Sequence, residues 1–351
     1  MMQNPTLRFG VIGSGSWATA LVKILTDGGL PTAWCVRDEE TMRYVKARGR
    51  NPRHLRSVRM DPSQLDVHVE PLEVVRLSDL VVVAVPSAFV AEVLSTVPSQ
   101  VAKGRKVLSA VKGILPNQNL LLNDHLAREW GLPLSDYLTV MGPCHAEEVA
   151  TEKLSYLTFS SVDKALAESV AACFSTPYIN TVTNADVYGV QYAAVLKNIY
   201  ALGAGVAHGL EYGDNFLSVL IANCADEMAG FLKKAGIRNM EVGIHDAVTD
   251  VRRRKSPNYA ASVYLGDLLV TCYSPFSRNR TFGTMIGKGY SVHAAGLELD
   301  MVAEGHPASR CIHLTNRETR ADMPIAETVY EILWEGLSPR EGMRRIEQVL
   351  I

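Results

Sequence analysis

Apolar positions follow two rhythms along this chain, and the change between them falls near residue 186. Before that point, short apolar runs alternate with helix-spaced stretches. Residues 7–12 and 32–36 predict two strands. The stretch 79–87 is almost continuously apolar, as a strand covered on both faces must be. Residues 107–111, 138–141, 156–160 and 178–182 predict further strands, with helical patterns between them, notably at 120–130 and 163–174. Beyond Asp186 only helical periods remain, at 187–207, 214–235, 240–252, 259–271, 280–286, 291–301, 324–335 and 339–350. The shift predicts an α/β fold: a doubly wound sheet in residues 1–186, then an all-α C-terminal domain in residues 187–351.

The first of those later helices stands out. Between Asp186 and Glu211 it carries one formal charge, Lys197, with Ala193, Ala194, Tyr200 and Ala201 at helical spacing around it. A helix apolar on every side belongs in an interior. An ammonium there is destabilised and pushed toward neutrality. Such a lysine is either part of a buried ion pair, a side chain reaching for the surface, or a working group. Gln191, Lys197, Asn198 and four glycines argue against a membrane span.

Composition narrows the classes. At 351 residues the chain is long enough for two domains with their own cores. A net charge of −2 provides no general attraction to nucleic acid or to an anionic membrane. The six cysteines are scattered, without CxxC or Cys/His ligand spacing, so no metal site is expected and a reducing, cytoplasmic setting is. The N-terminus shows no export signal.

Between the first two predicted strands lies Gly13-Ser14-Gly15-Ser16-Trp17-Ala18, a G-x-G-x-x-A turn opening a helix. Gly13 permits the tight turn, Gly15 lets backbone approach a pyrophosphate, and the small Ala18 lets helix pack on strand. The helix start offers N–H donors to the anion. The context points to a Rossmann-type dinucleotide site. Arg37 and Asp38 end the second strand. An acid there suits NAD and an arginine suits the 2′-phosphate of NADP, so either cofactor is compatible, with a lean to NADP. A solvated strand-end arginine is the alternative. The basic stretch 43–59 reads as a mobile surface loop, or as a segment closing over cofactor phosphates.

Downstream motifs complete the picture: Ala84-Val85-Pro86-Ser87, Lys112-Gly113, GPCHAEEV at 142–149, VLKNIYALGAG at 195–205, YGDN at 212–215, GDLLVTC at 266–272, SRNRTFG at 277–283 and VAEG at 302–305. In this order, over nearly the whole chain, they resemble the NAD(P)-dependent glycerol-3-phosphate dehydrogenase family of the soluble bacterial type. The resemblance implies hydride exchange between the nicotinamide and dihydroxyacetone phosphate, giving sn-glycerol 3-phosphate for glycerophospholipid synthesis. It implies Lys197, Lys112 and Asp267 as catalytic residues. It implies substrate contacts from Lys112, Gly142, Cys144, Lys197, Asn198, Asp267, Thr271, Ser277, Arg278 and Asn279. Cofactor contacts would come from Gly13, Gly15, Ser16, Trp17, Ala18, Arg37, Pro86, Lys112, Ala146, Arg278, Val302 and Glu304. It also implies a homodimer, and no nucleic-acid or membrane partner.

Physical chemistry accommodates these roles. Reduction of a carbonyl develops negative charge on oxygen and needs a proton donor beside it. A fork-shaped cation suits a substrate phosphate. Each residue has a plainer reading: Lys112 as a strand-end lysine, Asp267 as a helix cap, Arg278 in a surface pair. Departures from the family pattern are Cys144 where serine is usual, Ala18 for the commoner glycine, Asn223 where arginine is common, and the basic run 252–255.

Overall fold

The computed structural model describes residues 7–237, 260–299 and 303–351. The helix expected at 240–252, the basic run 252–255 and Val302 lie outside the described residues. The chain divides into two compact units: residues 1–111 with 120–187, and residues 112–119 with 188–351.

The first unit is an alternation of strands and helices. Its first half runs β1 (Phe9–Ile12), α1 (Ser16–Asp27), β2 (Thr32–Cys35), α2 (Glu39–Arg48), β3 (Leu65–His68), α3 (Pro71–Leu77), β4 (Leu80–Val83) and α4 (Ser87–Ser95). Its second half runs α5 (Ser99–Ala102), β5 (Lys106–Ser109), α6 (Leu122–Trp130), β6 (Tyr137–Met141), α7 (Ala146–Ala150), β7 (Ser155–Ser160), α8 (Lys164–Cys173) and β8 (Ile179–Asn184). One eight-stranded sheet results, in the order β3-β2-β1-β4-β5-β6-β7-β8. Neighbours pair parallel except β6 and β7, which run antiparallel. The order reverses between β1 and β4, and Phe9–Ile12 pairs there in register with Leu80–Val83. Crevices at such reversal points are where open α/β sheets hold ligands.

Burial explains which strands the sequence announces. Every residue of β1, β2, β4 and β6 is buried, so their runs are apolar or small throughout. β3 (Leu-Asp-Val-His) was not expected. It is the sheet's edge, where only Val67 is buried, so Asp66 and His68 are tolerated and the run is broken. The core gathers Phe9, Phe159 and Phe174, with ring centroids 5.8 and 5.1 Å apart along that series to Phe174.

The second unit is helical. Its helices are α9 (Val187–Gly209), α10 (Asp214–Lys234), α11 (Asp267–Tyr273), α12 (Arg278–Gly287), α13 (Val292–Glu298), α14 (Gly305–Thr319), α15 (Pro324–Tyr330) and α16 (Pro339–Glu347). A π-helical stretch, Ala260–Gly266, leads directly into α11. α14 was not anticipated, because its start at Gly305-His306-Pro307 lacks an apolar onset. α9 is the buried axis: from Ala193 to Ala207 no residue is exposed.

α9 and α12 meet backbone to backbone. A methyl group added at Gly205 would lie 2.2 Å from the Arg280 carbonyl oxygen, and one at Gly283 would lie 2.1 Å from that of Leu202. One turn on, Gly209 and Gly287 repeat the contact, at 2.4 Å from Thr284 and Val206 oxygens. Two glycines four apart on each helix therefore allow an approach that side chains would block. Gly305 brings the start of α14 onto α9 in the same way, with an added methyl 2.4 Å from the Asn198 carbonyl oxygen.

Candidate active site

The expected residues fall into two sets, one in each unit. In the first unit, Gly13 takes φ +130°, and a Cβ there would strike the Ala84 carbonyl oxygen at 2.4 Å. Only glycine fits both demands. Gly15 caps α1, and a Cβ there would meet nothing within 4 Å. The α1 start has neither a capping side chain nor an acid in its first turn. Open space above donor N–H groups is what a pyrophosphate needs, so these residues fit a dinucleotide. Ser16 and Ala18 are buried behind the turn, and Trp17 is half-buried.

The turn is braced from outside. Trp34 Nε1 donates to the Gly13 carbonyl at 2.7 Å. Asn51, which is 1% exposed, donates through Nδ2 to the Ser14 carbonyl at 2.9 Å and to Thr19 Oγ1 at 2.8 Å. Its Oδ1 accepts from Arg53 N and His54 N. The stretch 43–59 is thus not a loose loop. Its first part is α2, and Asn51 ties the remainder to the glycine turn. Sequence reasoning missed Asn51, because one asparagine in a basic stretch gives no sign that it is buried.

Arg37 is exposed beyond the end of β2, and Asp38 caps α2 by accepting from Thr41 N at 2.8 Å. Pro86 is exposed, two residues after Ala84. Gly142 follows β6 with φ +128°, and a Cβ there would lie 2.6 Å from the Tyr156 carbonyl oxygen. Cys144 is buried, and Ala146 opens α7.

In the second unit, Lys197 and Asp267 form a buried ion pair, 2.5 Å from Nζ to Oδ1, with residue exposures of 3% and 1%. Burial pushes the Lys197 amine down to about 8. Attraction to Asp267 opposes that shift, and the charge of Lys112 adds to it. The other oxygen, Asp267 Oδ2, is buried with no hydrogen-bond partner among the described residues. Asp267 is the first residue of α11 rather than its cap, which is Gly266. Thr271 turns its hydroxyl back onto the Asp267 carbonyl at 2.6 Å.

A chain of amides joins the remaining positions. Asn198 Nδ2 donates to the Lys112 carbonyl at 2.9 Å. Asn279 Nδ2 donates to Asn198 Oδ1 at 2.9 Å, and Asn279 Oδ1 accepts from Gly305 N at 2.9 Å. Lys112, Asn198, Asn279 and the start of α14 are therefore brought together. Ser277 caps α12, its Oγ accepting from Arg280 N, and the half-buried Arg278 is the first residue of that helix. Glu304 is half-buried immediately before α14.

One further buried acid was missed. Glu227, 8% exposed, accepts from Ile325 N at 2.7 Å and Ala326 N at 2.9 Å, and so caps α15. It lies beside the Tyr200 hydroxyl, one turn along α9 from Lys197. The signal was present: Leu220, Cys224, Glu227 and Phe231 share one apolar stripe of α10. Among the described residues no cluster of metal-ligating side chains occurs, and no helix is long and apolar enough to cross a membrane.

Residues 8–167 match the family model of the NAD-dependent glycerol-3-phosphate dehydrogenase N-terminus, and residues 186–344 match that of its C-terminus. The chain is 32% identical over 337 residues to a glycerol-3-phosphate dehydrogenase [NAD(P)+] of Parafrankia sp. (strain EAN1pec), covering 96% of both. It is 32% identical over 331 residues to the protein of that name from Chlorobium limicola, covering 94% of both. The crystal structure of glycerol-3-phosphate dehydrogenase from Coxiella burnetii shares the fold, with a TM-score of 0.85 at 23% identity, covering 98% of this chain and 99% of that one. The chain belongs to the NAD-dependent glycerol-3-phosphate dehydrogenase family.

Proposed function

We propose that this NAD(P)-dependent oxidoreductase interconverts dihydroxyacetone phosphate and sn-glycerol 3-phosphate, with Lys197 as general acid and base. The observation that carries the assignment is the buried Lys197–Asp267 pair, whose amine is held near 8. When bound, the nicotinamide supplies the hydride that reaches the substrate C2. Lys197 Nζ gives a proton to the C2 oxygen as charge develops there, and in the reverse direction the neutral amine takes it back. Asp267 Oδ1 holds Nζ in place, and the unengaged Oδ2 is suited to accept from a substrate hydroxyl. Lys112 adds positive charge near the developing oxyanion. Arg278, with Ser277, serves the phosphate. Asn279 already spends one N–H on Asn198 and its oxygen on Gly305, so its second N–H is what remains for the phosphate.

In this reading residues 1–186 hold the nucleotide and residues 187–351 the substrate. The chain acts as a cytoplasmic homodimer feeding glycerophospholipid synthesis. The direct test is oxidation of NADH or NADPH on adding dihydroxyacetone phosphate to pure protein. Lys197→Ala is expected to lower kcat by about 10²- to 10⁴-fold with nucleotide binding intact. Retained turnover would remove Lys197 from the mechanism. Light scattering checks the dimer, and rescue of a glycerol-requiring strain checks the lipid role.

A further inference from the structure

Asp38 stands where an acid would select NAD, yet its charge is already compensated. One oxygen accepts from Thr41 N at 2.8 Å as the cap of α2. The other is paired with Arg53 Nη2 at 3.0 Å. The Thr41 N–H holds the carboxyl below its usual range, with the Arg53 and Arg37 guanidiniums adding to the effect. An acid that selects the unphosphorylated ribose needs lone pairs for the 2′-hydroxyl and an uncompensated charge to repel a 2′-phosphate. Asp38 keeps lone pairs, but its charge is compensated by Arg53.

Arg53 is there by construction. Asn51 fixes the backbone on both sides of the question: its amide grips the glycine turn through Ser14 and Thr19, and its oxygen receives Arg53 N. The Arg53 side chain is 45% exposed, so a ligand can reach it. Its acidic neighbours are Asp38 and the 87% exposed Glu40, 3.9 Å away, which solvent screens. A guanidinium fork matches phosphate as it matches carboxylate, and a 2′-phosphate carries more negative charge than Asp38. Arg37, exposed at the same strand end, supplies a second.

We infer that Arg53, positioned by Asn51, is a specificity-determining residue that binds the 2′-phosphate of NADPH, and that this chain prefers NADPH to NADH. The inference rests on the dinucleotide reading of the first unit. It is tested by titration calorimetry with NADPH, NADH, adenosine 2′,5′-bisphosphate and 5′-AMP on the full chain. The wild type is expected to bind the bisphosphate at least about 10-fold more tightly than 5′-AMP. Arg53→Ala and Arg53→Gln should each weaken NADPH and the bisphosphate by about 10- to 100-fold, while NADH and 5′-AMP change less than about 3-fold. Unchanged NADH binding also reports that the variants are folded. Equal losses for NADPH and NADH, no loss for either, or a wild type indifferent to the 2′-phosphate would overturn the assignment. If the wild type binds none of the four, the dinucleotide reading itself falls, and this inference with it.

Discussion

Lys197 and Glu227 feel one cause with opposite results, because burial favours the neutral form of each. Lys197 is pushed down to about 8. With Lys197 as the proposed acid and base, reduction needs its protonated amine, so kcat/KM should be level below pH 8 and fall about tenfold per unit above it. In oxidation the neutral amine is required, so the rate should rise toward pH 8 and then level. Paired pH–rate profiles check this, and a reduction rate flat to pH 10 would contradict it. Glu227 is raised from 4.5 to about 7. The folded state therefore holds that proton more tightly than the unfolded chain. Its contribution to stability is full below about 4.5 and is lost as pH rises through about 7. Urea unfolding at pH 5 and pH 8 should show a larger decline for the wild type than for Glu227→Gln. The variant should also lose about 1 kcal/mol at pH 5, since an amide cannot accept from both Ile325 N and Ala326 N as the carboxyl oxygens do.

At the level of helices, glycine has two meanings here. Gly205 lies in the contact between α9 and α12, where a methyl group would reach 2.2 Å from a backbone oxygen. Gly205→Ala should destabilise by about 1–3 kcal/mol and lower kcat/KM, because α12 carries Arg278 and Asn279. Gly230 is exposed within α10, and a Cβ there meets nothing within 4 Å. Gly230→Ala should stabilise by about 0.5–1 kcal/mol. Thermal unfolding of the pair decides it, and equal effects would show that the close contact is not what holds α12. The same contrast shows what the sequence discloses. β4 and α9 were legible because burial on all sides leaves mostly apolar residues, Gln191, Lys197 and Asn198 being the polar ones buried in α9. β3 and α14 were not, because the exposed Asp66 and Arg310 and the half-buried His68 and Asn316 blur the period. The glycine contacts were invisible for another reason. A glycine in a helix looks like an interruption until the partner that needs its missing side chain is known. Among candidate site residues, Lys197 and the motif around Arg278 stood out in the sequence. Asn51 and the amide chain through Asn198 and Asn279 depend on three-dimensional neighbours that no spacing encodes.

For the whole chain, ligand and stability are linked. NADPH at one hundred times its dissociation constant should add about 2.7 kcal/mol to unfolding, seen as a raised unfolding temperature in calorimetry. Asn51→Ala, which leaves the Ser14 carbonyl and Thr19 hydroxyl without that partner, should weaken NADPH binding and shrink the shift. An unaltered shift would show that the glycine turn holds its shape without Asn51. The crossing of α9 and α12 has a consequence for any library of variants of this protein. A scan scored only by turnover would rank Lys197 and Gly283 together as intolerant positions. Scored also by cellular abundance they should separate: Lys197 variants accumulate as inert protein, whereas Gly283 variants disappear in order of side-chain volume whatever their charge. Two readouts on one library would then tell the residues that react from those that let the helices touch.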